Sequence, residues 1–229
     1  MSKTRIRTVL RRYHIWLGWL VGVPLLFWTL SGVVMVWKPI DEVRGSALLA
    51  PAAPFTLSAT PVVPDFGGRR LTALAIEPRA AGPRWVAQFA GGGSMLADPA
   101  TGALLPDLTP ADAVREFTAR YRGTARIVST QVIDAARPPL DLRRKGPAFA
   151  ITMSDGAHFF VAADSGAVIA TRTRFWRFYD WMWGLHIMDL GSRENTHNPW
   201  IVGFGLLTLL TTVLALVLLP LTGKRRRRP

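Results

Sequence analysis

Apolar residues are not spread evenly along this chain; they gather in two uninterrupted blocks with a longer mixed region between. His14–Trp37 runs for 24 residues without a formal charge, and Ile201–Leu221 runs for 21. A bilayer core needs roughly 20 residues at about 1.5 Å each, so each block predicts a transmembrane helix. The region between them shows short alternations of apolar and polar positions, the period of half-buried strands. The patterns together predict an α+β fold in which two membrane helices flank a water-soluble module.

The module repeats itself. At an ungapped offset of 64, Trp85–Leu105 lies over Phe149–Ile169: Gly92 falls on Gly156, Thr101-Gly102 falls on Ser165-Gly166, and alternating apolar positions coincide. Each copy predicts a hairpin, a glycine turn and a further short strand, with an upstream strand at Leu71–Ile76 or Arg126–Ile133. Between the copies, Thr109-Pro110-Ala111-Asp112 has the residues of a helix start: a hydroxyl cap, a proline in the first turn and an acid at the positive end. Val114, Phe117 and Tyr121 then share a face, and Gly123 marks the end. The predicted organisation is a basic tail 1–13, a helix 14–37, a proline-rich linker 38–68, a repeat domain 69–174, an aromatic interfacial or re-entrant segment 175–198, a helix 199–221 and a basic tail 222–229.

Charge changes the picture through its placement. The net charge is +13, but Lys3, Arg5, Arg7, Arg11 and Arg12 precede the first block and Lys224 to Arg228 follow the second. All acidic residues lie between the blocks, where the balance is nearly neutral. The basic excess therefore reads as a topology signal, with both termini cytoplasmic and the central domain periplasmic, in a bacterial inner membrane. It speaks for contact with membrane lipids and against nucleic acid as a partner. A cleavable signal peptide is the competing reading of the first block, with small residues at Ser46–Ala53. The block is longer than a signal core, and Lys38, Asp41 and Glu42 intervene. The absence of cysteine excludes disulfides, thiolate metal sites and a cysteine nucleophile.

Two stretches carry candidate chemistry. On the first helix His14, Gly18 and Gly22 recur every four residues and share a face, with Gly18 and Gly22 forming a small-xxx-small pair. That face offers either a helix-packing surface or room beside a membrane histidine for a flat macrocycle. Phe175–Asn198 holds six aromatics within Phe175–Trp183, followed by His186 and His197. Aromatic rings with polar edges collect at the lipid–water boundary, so Trp176, Trp181, Trp183 and Trp200 read as interfacial anchors. Asp98, Asp155 and Asp164 read as turn residues and His158 as a half-exposed strand residue. No nucleotide-binding glycine loop, catalytic triad order or zinc spacing is present.

The sequence resembles the PepSY-associated transmembrane family. The likeness rests on the basic residues ahead of His14-x-x-x-Gly18, on the repeated hairpin with Asp98 to Gly102 and Asp164 to Gly166, and on Leu185-His186 ahead of a last helix ending Leu221-Thr222-Gly223 and a basic tail. The resemblance implies an extracytoplasmic PepSY module anchored by helices. Larger relatives with four or more spans include ferric-siderophore reductases, in which membrane histidines carry b-type haem. Carried over, His14 and His186 become suspects for haem iron, and His197 is a further cofactor candidate beside His186. The chain departs from those relatives in having two clear spans.

Two axial imidazoles must approach one iron from opposite sides. His14 and His186 belong to opposite membrane faces roughly 30 Å apart, so a site would require a symmetric dimer, a partner redox membrane protein, a His186–His197 pairing, or entry of Phe175–Leu190 into the bilayer. The expected function is an accessory or b-haem electron-transfer component of a membrane system for iron or siderophore reduction. As an enzyme it would be part of a ferric reductase rather than self-contained. The alternative is a non-catalytic, membrane-tethered PepSY module that binds or regulates a peptidase or signalling partner.

Overall fold

The computed structural model describes residues 3–222. The predicted tail 222–229 thus lies, from 223 on, outside the described residues. The chain forms two compact units, one made of the stretches up to Lys38 and from Phe178 on, the other of Pro39–Arg177.

The first unit is helical. Helix α1 runs from Lys3 to Trp37, so the basic stretch ahead of His14 is helical too, and the closing helix spans Pro199–Thr222. From His14 onward in the first, and along the second, apolar side chains lie on every face, with Leu20, Leu26, Leu206 and Leu209 more than 60 % exposed. A helix apolar on every face and bare to its surroundings is adapted to lipid rather than water. Arg5–Trp37 and Pro199–Pro220 are long and apolar enough to cross a membrane. The two helices pack on each other, with the Trp28 and Phe204 rings 6.4 Å apart. Their glycines do not mediate this contact, because a methyl placed on Gly18, Gly22, Gly203 or Gly205 would meet nothing within 4 Å.

The second unit contains α2 (Ile40–Arg44), α3 (Pro110–Arg120) and eight strands in two antiparallel sheets. One sheet is β1 (Leu71–Arg79), β2 (Gly82–Phe89), β3 (Ser94–Ala97) and β4 (Leu104–Leu105); the other is β5 (Ile127–Ile133), β6 (Ala148–Met153), β7 (His158–Ala162) and β8 (Val168–Arg172). Each sheet keeps its strands in chain order, so each is a meander of consecutive hairpins.

The 64-residue repeat is a repeat of hydrogen-bond register. Trp85 opposes Ala97 as Phe149 opposes Val161, Gln88 opposes Ser94 as Thr152 opposes His158, and Ala97 opposes Leu104 as Val161 opposes Val168. Gly92 and Gly156 both take a left-handed φ, 84° and 80°, where a side chain would be strained. Gly102 and Gly166 do the same at 71° and 69°. The leading strands β1 and β5 even share a bulge, Leu71/Ala73 in one and Ile127/Ser129 in the other.

The copies differ in what covers them. Helix α3 opens with a capping box, Thr109 accepting from Asp112 N–H while the Asp112 carboxylate accepts from Thr109 N–H. It drives Phe117 and Ala113 into a core with Phe149, Ile151, Phe159 and Val161 from the second sheet. Leu48 and Leu49 from the proline-rich stretch join that core, and Leu49 bridges to Tyr121. The first sheet has a smaller cluster in which Phe66 covers Ala87 and Phe89.

Candidate functional site

Helix α4 covers Arg174–His186, and α5 is the closing helix Pro199–Thr222. The sequence of α4 makes it amphipathic, and its last residue lies on α1. There the His186 ring stacks on Trp28 with centroids 4.5 Å apart and planes 19° apart. Its Nδ1 is 3.1 Å from the Trp28 carbonyl oxygen and 3.1 Å from Ser31 Oγ. A carbonyl oxygen only accepts, so Nδ1 carries the proton and donates it here. The Ser31 hydroxyl also donates to the Trp28 carbonyl, at 2.8 Å, which leaves its oxygen free to accept. In the neutral ring Nε2 then holds a lone pair, and among the described residues nothing hydrogen-bonds to it. Gly32 makes the approach possible, since a Cβ there would sit 3.2 Å from His186 Cε1.

The chain beyond His186 is folded into a brace. Helix α4 ends with Asp189 N–H donating to Gly184 C=O and Met188 N–H to Leu185 C=O, with Met188 left-handed at φ 56°. Arg193 is left-handed as well, at φ 57°, so two side-chain-bearing residues within one short loop sit in a region normally left to glycine. Their neighbours hold them there. The Asp189 carboxylate accepts from the Ser192 hydroxyl and from the backbone N–H groups of Ser192, Glu194 and Asn195. Those bonds, the Ser192 hydroxyl foremost, hold its carboxyl well below the usual range. The Arg193 guanidinium pairs with buried Asp180 at 2.9 Å, and its carbonyl accepts from Trp183 Nε1 at 3.0 Å. Asn198 donates to the Ile187 carbonyl at 2.8 Å while its Oδ1 caps α5 by accepting from Trp200 and Ile201 N–H.

His14 occupies a different place. It lies 14 residues before Trp28 on the same helix, about 21 Å along the axis. With Ile15, Gly18, Trp19, Gly22, Val23 and Leu26 it lines an open apolar groove of about 410 Å³. Its Nδ1 is buried without a hydrogen-bond partner. His197 is exposed in the loop ahead of α5, with its Nδ1 3.1 Å from Thr196 Oγ1. The structure therefore brings His186 together with Trp28, Ser31 and Gly32, and brings neither His14 nor His197 into contact with it. Among the described residues no three His, Cys, Asp or Glu side chains gather as a metal-holding group. His186 has its Nδ1 on a carbonyl, as ligating histidines do, which is the feature that accords with the haem implied by the family resemblance. His14 of the same chain, about 21 Å along α1 from Trp28, does not share a site with His186.

Sequence reasoning passed over Trp28, Ser31 and Gly32. The signal was present as Ser31-Gly32, a polar and a small residue adjoining within an otherwise greasy span. It also misjudged one tryptophan: Trp176 is buried in the second unit, with the Arg172 guanidinium 4.0 Å from its ring centroid, and is no interfacial anchor. The aspartates behave as turn residues, Asp98 accepting from Ala100 N–H and Asp155 from Ala157 N–H. Asp164 instead reaches to the other copy and accepts from Ser94 N–H at 2.8 Å. Comparison of the chain with protein-family models, curated proteins and solved structures finds no match.

Proposed function

We propose that this chain is a membrane-anchored PepSY-type protein serving as an accessory or electron-carrying component of a bacterial inner-membrane redox system that handles iron. Both termini are cytoplasmic and the Pro39–Arg177 unit is periplasmic, a topology supported by the basic residues at the two ends of the chain. The observation that carries the redox reading is the His186 seat. The imidazole is held against α1 by its stack on Trp28 and by the contacts of Nδ1 with the Trp28 carbonyl and the Ser31 hydroxyl, so Nε2 is the atom that would hold a metal. Haem b, when bound, would supply one-electron chemistry; His186 would be one of the residues that hold it, and a second copy or a partner subunit would provide the other.

The test is an absorbance spectrum of the purified full chain, expressed with haem supplied. A Soret band with a dithionite-sensitive α band, lost in His186→Ala and kept in His197→Ala, is the expected result. A chain with neither band ends the haem reading.

A second reading has its own observation. Ala50–Pro54, Pro78–Ala80 and the exposed side of α3 frame an open groove of about 530 Å³ in the second unit. A groove of that size suits a non-catalytic module that holds a peptidase or signalling partner. Its test is co-purification: a partner retained by the His14→Ala/His186→Ala double variant supports it, and loss of every partner with the histidines removes it.

A further inference from the structure

Strand β5 ends its sheet, pairing with β6 on one side only. Natural edge strands are blunted by charge, proline or shortness, because a free row of N–H and C=O groups templates another strand. The corresponding edge strand β1 follows that rule with Glu77, Pro78 and Arg79. Strand β5 reads Ile-Val-Ser-Thr-Gln-Val-Ile, seven residues with neither charge nor proline. Val128 and Val132 are 67 % and 71 % exposed, and among the described residues no strand pairs with the outer edge of β5. Its bulge falls at Ile127–Ser129, leaving Ser129–Ile133 regular.

The strand is also self-complementary. Turned antiparallel about Thr130, it places Ser129 opposite Gln131 within the regular stretch and, counted residue for residue past the bulge, Val128 opposite Val132 and Ile127 opposite Ile133 of a second strand of the same sequence. One step further out, Arg126 meets Asp134. Both are exposed, and among the described residues neither has an ion-pair partner. A two-fold axis through Thr130 therefore matches apolar with apolar, polar with polar and, twice, cation with anion, as an isologous interface requires.

We propose that β5 is a dimerisation edge, through which two copies of this chain join their second sheets into one continuous eight-stranded antiparallel sheet centred on Thr130. The occupant of the edge is a second copy rather than a foreign peptide, because the register that pairs every side chain is the strand with itself. The proposal stands on the strand alone and does not depend on the redox reading.

The chain lacks cysteine, so single cysteines report cleanly. Across the axis Thr130 faces its own copy at an antiparallel Cα separation of about 4.5–5.5 Å, within disulfide range. Val132 faces Val128 of the other copy, which leaves the two Val132 residues about 14 Å apart. In the full chain in detergent, Thr130→Cys should give about tenfold more covalent dimer under mild oxidation than Val132→Cys, and Val128→Cys/Val132→Cys should recover it. In the cysteine-free chain, light scattering should show a dimer that Arg126→Asp dissociates about tenfold and Arg126→Asp/Asp134→Arg restores. Equal cross-linking at positions 130 and 132, or a monomer in the cysteine-free chain at micromolar concentration, overturns the proposal. So does a dimer indifferent to both charge changes.

Discussion

Two glycines of α1 give opposite forecasts. At Gly32 an added side chain runs into the His186 ring, whereas at Gly18 it enters open space. Gly32→Val should push the imidazole off Trp28 and cost about 1–3 kcal/mol by overpacking, read as a lower unfolding temperature in detergent and a shifted His186 ring resonance. Gly18→Ala should leave that resonance alone and hold or raise stability, by up to about 1 kcal/mol from helix propensity. A second residue-scale forecast concerns the brace. Removing the Arg193 guanidinium breaks its 2.9 Å pair with the Asp180 carboxylate, which is 6 % exposed, and Arg193→Ala should cost about 3 kcal/mol, more than a surface arginine. The sequence announced His186 as chemistry but not its seat. A stacking partner 158 residues away in the chain belongs to tertiary structure, and local period carries no trace of it.

Among the elements, α3 was the most legible, because its start is written in local chemistry. Thr109→Ala should cost about 1 kcal/mol of stability through loss of the cap. The Thr109 hydroxyl, then its backbone N–H, hold the Asp112 carboxyl below its ordinary value. A depressed folded pKa contributes stability that is present above the unfolded value near about 4 and is lost as pH falls through the folded one. Acid titration of unfolding should therefore show a loss below about pH 4 that Asp112→Asn diminishes, while the profile above pH 5 stays parallel. Phe117→Ala, which empties the centre of the second core, should cost about 3–5 kcal/mol. The meanders were legible too, since Gly92 over Gly156 and the coincident alternation fix turn and register together. What stayed hidden was the relation of β1 to β5, whose matching bulges Leu71/Ala73 and Ile127/Ser129 lie 56 residues apart rather than 64. A gap in one connection defeats an ungapped comparison, although backbone pairing preserves the likeness.

For the whole molecule, the apolar blocks made the membrane helices plain, and the basic ends predict which way the chain runs. Val63→Cys, on an exposed position of the second unit, should react with an impermeant maleimide in spheroplasts, and Arg7→Cys only after the membrane is opened. The opposite pattern would invert the proposed topology. The division of the chain has a consequence for biosynthesis. The second unit is a single continuous stretch, and its strands pair with their immediate neighbours, so it has the local contacts of a quick folder. The first unit is assembled from the two ends of the chain and must wait while everything from Pro39 to Arg177 is made, on the order of 10 s at ribosomal speed. For that interval Trp28, Ser31 and Gly32 stand in the bilayer with no imidazole against them. Whatever guards a half-built α1 during those seconds, lipid or an insertion factor, must give way when His186 arrives.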